Sequence, residues 1–227
     1  MADPGVLLMT GATGTVGTAL LKLLRDSFPV VVAIGRRPPV VQRPADHFIR
    51  ADLGDPDGLD AACAQVTRFA ERAPVFGLVL AAGVDSRAGL NSLTRPEWDR
   101  CLAVNAFAPL RLLAAATARR TGTAPLPVVV WSSDVAGGSH PETMVYAASK
   151  AALEEGAQHA MADVGDPGLA VLVVRLSDVG VPMTRADGAR PAGGGRVPDP
   201  ALGRAVETAV AFLTTPRPRP GVELWHA

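Results

Sequence analysis

Short apolar runs alternate with helical segments along the whole chain, and this alternation constrains the fold more than any other feature of the sequence. The runs are continuously apolar, as expected for parallel strands that are covered by helices on both faces. We predict strands at residues 6–10, 29–35, 47–50, 76–81, 127–132, 169–175 and 222–225. We predict helices near residues 15–26, 56–72, 95–121, 142–163 and 200–214. The pattern indicates an α/β fold, built as a doubly wound parallel sheet of about seven strands with helices on both faces.

Length and composition narrow the class of protein further. A chain of 227 residues with a hydrophobic fraction of 48% suits one large domain, residues 1–227, and argues against global disorder. The 22 basic and 22 acidic residues balance, so nothing in the charge favours nucleic acid or an anionic membrane as a partner. Cys63 and Cys101 stand too far apart to suggest a disulfide framework or a metal site. The chain shows neither a leader segment nor an apolar run of about 18 residues, so we expect a cytoplasmic protein.

A glycine-rich segment, TGATGTVG at Thr10–Gly17, joins the first predicted strand to the first predicted helix. In such a turn Gly11 makes the tight bend, Gly14 lets the backbone approach a pyrophosphate, and Gly17 permits close packing of helix on sheet. The helix N-terminus offers N–H groups and a positive dipole end to phosphates. An ordinary glycine-containing loop is the alternative, but the strand–turn–helix context favours dinucleotide binding. The cofactor contacts predicted from this turn are Gly11, Thr13, Gly14, Thr15, Val16 and Gly17.

The end of the second predicted strand bears on the choice between NAD and NADP. A carboxylate at this place binds the ribose 2′-hydroxyl of NAD, whereas an arginine accommodates the 2′-phosphate of NADP. Here the strand runs into Gly35-Arg36-Arg37, with no acid nearby. The guanidinium fork matches phosphate geometry and stays charged. We therefore predict NADP(H) in preference to NAD(H), with Arg36 as the first candidate and Arg37 as the second; two solvated loop arginines are the alternative.

The lone tyrosine of the chain, Tyr146, stands four residues before Lys150, one of only two lysines. Residues at this spacing lie on one face of a helix, so the ammonium can lie near the phenol. A free phenol has a pKa near 10, and a nearby cation lowers it towards the range useful for acid–base catalysis. Ser133 closes a buried strand, where parallel sheets present functional groups to ligands. A helix with an incidental tyrosine and lysine is the alternative, which the scarcity of both residue types disfavours.

These motifs, taken together and in order, resemble those of the short-chain dehydrogenase/reductase family, whose members bind NAD(P) on a Rossmann fold. The resemblance covers most of the chain. Segments that match the family's cofactor-binding positions are Asp52-Leu53, which resembles the adenine-contacting acid, and Ala82-Gly83, which resembles the end of the NNAG segment. The residues that match the family's catalytic set are Asn105, Ser133, Tyr146 and Lys150. Leu80 and Ala81 stand where two asparagines are usual.

The resemblance implies hydride transfer between nicotinamide and a ketone or secondary alcohol. By that resemblance Tyr146 is the proton donor and Ser133 hydrogen-bonds the reacting oxygen. Lys150 would bind the nicotinamide ribose and lower the pKa of Tyr146, Asn105 would hold a proton-relaying water, and Val179 would offer backbone groups to the carboxamide. Relatives commonly associate through two helices, so we expect a homodimer or homotetramer, with a small-molecule carbonyl or alcohol as substrate.

Two other functional classes remain open at this point. A redox-neutral enzyme on the same fold, such as an epimerase, dehydratase or cyclase, would use bound NADP(H) without net consumption. A non-catalytic NADP-binding regulator is disfavoured because it would not need Ser133, Tyr146 and Lys150 together. The irregular stretch 181–200, rich in glycine and proline, is predicted to be a substrate lid, because long loops in compact domains are usually functional or disordered.

Overall fold

Seven strands form one sheet in which every neighbouring pair is parallel. The computed structural model describes residues 5–40, 46–118, 124–138, 140–165, 168–177, 183, 200–216 and 218–226. The strands are β1 (Val6–Thr10), β2 (Val30–Gly35), β3 (His47–Arg50), β4 (Val75–Leu80), β5 (Leu126–Ser133), β6 (Leu169–Leu176) and β7 (Gly221–His226). Their order across the sheet is β3-β2-β1-β4-β5-β6-β7. This confirms the predicted doubly wound α/β fold, in which the chain reverses direction across the sheet between β1 and β4.

The helices fill the predicted positions, with one difference. They are α1 (Thr15–Leu24), α2 (Pro56–Arg72), α3 (Arg95–Leu102), α4 (Ala108–Thr117), α5 (Met144–Val164) and α6 (Pro200–Leu213). The single helix predicted over 95–121 is α3 and α4 joined by a π-helical segment, Ala103–Phe107. Its wider hydrogen bond runs from the N–H of Ala108 to the carbonyl of Ala103. Such π-segments are rare and often occur at functional sites.

Two apolar layers hold the helices on the sheet. One face of the sheet packs against α2, α4 and α5, through residues such as Leu59, Leu112 and Leu153. The other face packs against α1 and α6, through residues such as Leu20 and Val206. Because both faces are covered, central strands such as β5 are buried along their whole length, which explains why their sequences are continuously apolar.

A third, smaller apolar cluster lies at the carboxyl end of the sheet. Val84, Ala88, Cys101, Val104 and Val145 are buried together, from the segment after β4, from α3 and from the start of α5. Trp98 and Tyr146 pack against this cluster. The cluster therefore links the loop that follows β4 to the helix that carries the predicted catalytic tyrosine. Within the described part of the chain, no helix is long and apolar enough to cross a membrane.

Candidate active site

The glycine turn lies between β1 and α1, at the carboxyl edge of the sheet. Gly11 has a φ of 71°, and a Cβ there would lie 2.5 Å from the carbonyl group of Ala81. A Cβ on Gly17 would collide with the carbonyl oxygen of Gly11. These two glycines are therefore required by the turn itself, the first for its backbone conformation and for the close approach of β4, the second for the packing of α1.

Gly14 differs from its two neighbours because the fold does not require a glycine there. Its φ is −78°, which any residue adopts, and a Cβ would meet only the carbonyl oxygen of Gly11, at 3.4 Å. Gly14 and its neighbours Thr13 and Thr15 are exposed, and Val16 is half-buried. Helix α1 begins here without a side-chain cap and without an acidic residue in its first turn. An exposed helix N-terminus without a side-chain cap, with open space beside Gly14, forms a cradle that fits a pyrophosphate.

The predicted adenosine side of the site lies at the ends of β2 and β3. Arg36 and Arg37 are exposed directly after β2. Asp52 accepts hydrogen bonds from the N–H of Gly54 at 3.0 Å and from Arg100 at 2.8 Å and 3.0 Å. Burial raises the pKa of Asp52, but the hydrogen bonds from Gly54 and Arg100 and the charge of Arg36 outweigh it, so that this pKa is lowered. Arg36 is therefore close enough to Asp52 for its charge to lower the pKa of that carboxyl group. The predicted 2′-phosphate ligand and the predicted adenine ligand thus lie at the same edge of the sheet.

Leu53 and the Ala82-Gly83 segment contribute mainly backbone to this edge. The side chain of Leu53 is buried in the core, so a cofactor contact from this residue can come only from its backbone. Thr10 holds the other segment in place, because its buried hydroxyl accepts hydrogen bonds from the N–H groups of Ala81 and Ala82, both at 3.1 Å. Thr10 thereby joins the ends of β1 and β4, a role that its place in the glycine-rich segment did not predict.

Asn105 is fully buried on the π-helical segment and holds the loop that follows β4. Its Oδ1 accepts from the N–H of Val84 at 2.8 Å, and its Nδ2 donates to the carbonyl of Val84 and to Ser149 Oγ, both at 2.9 Å. Ser149 Oγ in turn donates to the carbonyl of Tyr146 at 2.7 Å. Both N–H groups of the amide are thereby used by the protein. The side chain acts as a clamp between the loop after β4 and α5, and the predicted water-binding role of Asn105 stays a prediction.

Tyr146, Lys150 and Ser133 come together at the carboxyl ends of β4 and β5. Lys150 is 4% exposed, donates to the carbonyl of Trp131 at 2.8 Å, and places Nζ 5.7 Å from the centroid of the Tyr146 ring. The hydroxyl of Tyr146 points to Met183 Sδ at 3.7 Å, a weak acceptor. Ser133 lies near enough to the phenol to lower its pKa, and its Oγ donates to Asp134 Oδ1 at 3.1 Å. Tyr146 and Lys150 therefore lie together on α5, as their spacing predicted, and Ser133 lies near the phenol at the end of β5.

The electrostatics of Tyr146 differ from the prediction. Burial raises the pKa of Tyr146 well above its usual value of about 10, and the charge of Asp85 raises it further. The nearby Ser133 hydroxyl lowers this pKa and offsets these effects only in part. The net shift is therefore opposite to the lowered pKa that was expected, while the effect of Lys150 on this pKa stays a prediction. At neutral pH Tyr146 is a protonated phenol, which suits a proton donor.

Burial of Lys150 predicts a pH-dependent stability. Burial lowers the pKa of Lys150 from 10.5 to about 8, because a desolvated ammonium is disfavoured. The folded chain therefore binds fewer protons than the unfolded chain between these pH values, and stability rises with pH across that window. We expect the free energy of unfolding to rise by roughly 1–3 kcal/mol from pH 8 to pH 10, relative to the Lys150→Met variant, in urea titrations. Parallel profiles for the two proteins would contradict this assignment.

Some predicted contacts cannot be placed, and other residues of the site were not foreseen. Val179 lies outside the described residues, as does nearly all of the predicted lid at 181–200. Within that lid the structure describes Met183, whose Sδ lies 3.7 Å from the hydroxyl of Tyr146. Arg100 and Ser149 were missed because their partners are 48 and 44 residues distant in sequence. Their helical positions and polarity are ordinary, so no local signal distinguishes them.

Known sequences that resemble this chain include dehydrogenases and a reductase. The family model for short chain dehydrogenases matches residues 5–191. A fatty acyl-CoA reductase of Mycobacterium tuberculosis is 30% identical, over 94% of this chain and 74% of that protein. The short chain dehydrogenase andC of Emericella variicolor is 35% identical over 113 residues, which are 48% of this chain. The matched part is 44% of the Emericella protein, so the chain spans less than half the length of that relative.

Solved structures share the fold at low sequence identity. A short chain dehydrogenase from Burkholderia cenocepacia in complex with NADP has a TM-score of 0.72 at 21% identity, covering 100% of this chain and 89% of that one. An oxidoreductase from Brucella ovis in complex with a partially ordered NAD has a TM-score of 0.73 at 24% identity, covering 99% of each chain. The likeness at these identities concerns the fold. Since the family model covers most of the chain and the fold agrees with it, this chain belongs to the short chain dehydrogenase family.

Proposed function

We propose that the chain is an NADP(H)-dependent oxidoreductase that interconverts a ketone and a secondary alcohol, with Tyr146 as the acid–base residue. The observation that carries the proposal is the convergence of Ser133, Tyr146 and Lys150 beside an open glycine cradle at one edge of the sheet. Parallel sheets of this kind bind ligands at that edge, where the strand order reverses. The family membership supports the reaction class, and the NADP complex of the Burkholderia relative supports the cofactor.

Each residue has a task that follows from its surroundings. Bound at the cradle, NADP(H) would supply or accept the hydride. Tyr146, protonated at neutral pH, is placed to give its proton to the reacting oxygen, while Ser133 contacts the same oxygen. Lys150 is anchored by the carbonyl of Trp131 and stands beside Gly83, where its Nζ would lie 3.5 Å from a Cβ at that position. Lys150 is therefore placed to bind a ribose hydroxyl.

The choice of NADP over NAD depends on Arg36, and its replacement is the direct test. The Arg36 side chain is exposed at the end of β2 and contributes little to the stability of the fold. We therefore expect Arg36→Ala to leave the melting temperature unchanged. We expect the variant to raise KM for NADPH by at least tenfold and KM for NADH by less than twofold, because only NADPH carries the 2′-phosphate. Equal effects on the two cofactors in steady-state assays would refute the assignment. Arg72→Ala, at an exposed arginine in the last turn of α2, provides the matched control and should leave both KM values unchanged.

A redox-neutral reaction on the same site is the second candidate. The observation in its favour is Leu176-Ser177 at the end of β6, where the family usually has proline and glycine before its nicotinamide-binding segment. The experiment is to follow the absorbance of NADPH with a panel of ketones and aldehydes. Net oxidation of NADPH supports the oxidoreductase, whereas product without loss of NADPH supports an epimerase, dehydratase or cyclase.

The proposed oligomer uses the outer faces of α4 and α5. A groove of about 490 Å³ lies between these helices and is lined by small and apolar residues, among them Leu110, Ala114 and Gly156. Phe107, at the start of α4, is 59% exposed. We expect a homodimer or homotetramer by light scattering, and a monomer for Ala114→Arg, because a charged side chain on this exposed position would be buried in the contact. A monomeric mass for the unmodified chain would overturn the proposal.

A further inference from the structure

Asp134 follows Ser133 directly and begins a short 3-10 turn, Asp134–Gly137, at the end of β5. Ser133 Oγ donates to Asp134 Oδ1 at 3.1 Å, and the N–H of Val135 approaches the same hydroxyl oxygen at 3.4 Å. Ser133 is buried, whereas Asp134 is half-buried. The proposed reaction gives the Asp134 carboxylate no task of its own. Asp134 nevertheless accepts the proton of Ser133, and Ser133 is the residue proposed to contact the reacting oxygen.

The direction of this hydrogen bond decides what Ser133 can offer to a substrate. A serine hydroxyl has one proton and two lone pairs, so a proton given to one acceptor is withheld from every other. Hydrogen bonds to an ionised carboxylate are roughly twice as strong as neutral ones. Asp134 therefore competes well for the proton, and Ser133 presents a lone pair to the reacting oxygen. Tyr146 presents the opposite group, an O–H donor.

We propose that Asp134 is a positioning residue that holds the Ser133 hydroxyl as an acceptor, and so sets the resting site to bind a secondary alcohol in preference to a ketone. An alcohol oxygen can accept from Tyr146 while its own proton goes to Ser133, so that every group is paired. A ketone oxygen can only accept hydrogen bonds. The Ser133 hydroxyl must therefore break its hydrogen bond to Asp134 before it can donate to the ketone. This inference rests on the proposed function, since it concerns the same reacting oxygen.

Charged and titratable groups reach Tyr146 from several elements. Asp85, in the loop after β4, and Asp134 both raise the pKa of the phenol, as does Cys101 on α3. Lys150 lies on the same helix as Tyr146, with Nζ 5.7 Å from the ring centroid. Removal of Asp134 therefore acts on Tyr146 in two ways, by loss of a nearby charge and by release of the Ser133 proton. A test must separate the two.

Because Tyr146 is the only tyrosine of the chain, a tyrosine analogue reports on this site alone. Replacement of tyrosine by 3,5-difluorotyrosine, a much stronger acid, lets the phenol titrate while the full chain stays folded, and fluorine NMR follows one residue. The titration is measured in Asp134→Ala, Ser133→Ala and the double variant. Asp26→Ala, an exposed acid in the turn after α1, is the matched control and should leave the titration unchanged.

The expected result is a coupling between the two positions. Asp134→Ala should increase the acid dissociation constant of the phenol about tenfold or more, because the released Ser133 proton now stabilises the phenolate. In the Ser133→Ala background the same change should have a much smaller effect, as a double-mutant cycle shows for residues that act through each other. An equal effect in both backgrounds would mean that Asp134 acts by charge alone, and would overturn the proposal.

The preference for alcohol is tested with the substrate pair that the NADPH assay identifies. Inhibition constants are measured for the two unreactive pairings, the alcohol with NADPH and the ketone with NADP. Asp134→Ala should tighten the ketone complex and weaken the alcohol complex, changing their ratio about tenfold. A parallel weakening of both would show a merely structural role and contradict the proposal. If no pair reacts, the proposed function fails, while the fluorine titration still decides whether Asp134 acts through Ser133.

Discussion

Replacement of Tyr146 by Phe is expected to lower kcat by about three orders of magnitude or more, since general acid catalysis contributes roughly 10²–10⁴-fold. The ring keeps its packing against the apolar cluster that includes Val84 and Val145, and among the described residues the lost hydroxyl donates to Met183 at 3.7 Å, a weak bond. We therefore expect a melting temperature within about 2 °C of the unmodified chain and nearly unchanged NADPH affinity, measured by fluorescence titration. Retained turnover would remove Tyr146 as the acid.

A matched pair of serines at the end of β5 controls for damage to the strand. Ser133→Ala should lower kcat about tenfold to hundredfold, because in the proposed reaction its hydroxyl contacts the reacting oxygen. Ser132 is also buried, but in the described structure its Oγ has no hydrogen-bond partner. Ser132→Ala should therefore keep full activity and an equal or higher free energy of unfolding, because an unsatisfied buried hydroxyl is costly. Equal losses for both variants would mean that strand damage accounts for the effect.

Two glycines of the same turn should respond differently to replacement by alanine: Gly17→Ala should lower stability, and Gly14→Ala should lower NADPH affinity. A Cβ on Gly17 would press on backbone atoms of Gly11 and Ala12, which cannot move without opening the turn. We expect Gly17→Ala to lower the free energy of unfolding by about 3 kcal/mol, as overpacking against fixed backbone does, and to lower the melting temperature by roughly 6–12 °C. Urea and thermal unfolding of the full chain measure the effect.

The matched variant, Gly14→Ala, separates binding from folding. The fold leaves room for a Cβ there, 3.4 Å from the carbonyl oxygen of Gly11, so the melting temperature should move by less than about 2 °C. The added methyl fills the cradle at the N-terminus of α1, and we expect NADPH affinity to fall at least tenfold, measured by fluorescence titration. Unchanged affinity in a stable Gly14→Ala protein would show that the phosphates bind elsewhere.

The fold was predictable because its signals are local. Apolar runs set strands such as β1 and β5 to within a residue, since strands buried on both faces need continuous apolar sequence. Helix α2 begins where it was predicted, because the Asp55 side chain accepts from the N–H of Gly58 and Pro56 occupies the first turn, both of which are local signals. The π-segment between α3 and α4 was not predictable, because Asn105 on it bonds to Val84, far away in sequence.

The proximity of Tyr146 and Lys150 was predictable from the sequence, whereas the direction of the pKa shift at Tyr146 was not. The spacing of Tyr146 and Lys150 places both on one helix face, as observed. The sign of the pKa shift at Tyr146 depends on its burial and on Asp85 and Asp134, which come from other elements. Spacing along a helix carries no information about such neighbours, so a lowered pKa was expected where a raised one is found.

The most direct measurement of the central claim is transfer of deuterium from NADPH that is labelled at C4 of the nicotinamide. Each ketone or aldehyde of the panel is incubated with the full chain and the labelled cofactor, and the product is analysed by mass spectrometry while NADPH absorbance is followed. We predict one deuterium on the carbinol carbon for each NADPH consumed, with no transfer by the Tyr146→Phe variant. A product that lacks deuterium, or that forms without loss of NADPH, would contradict net hydride transfer at this site.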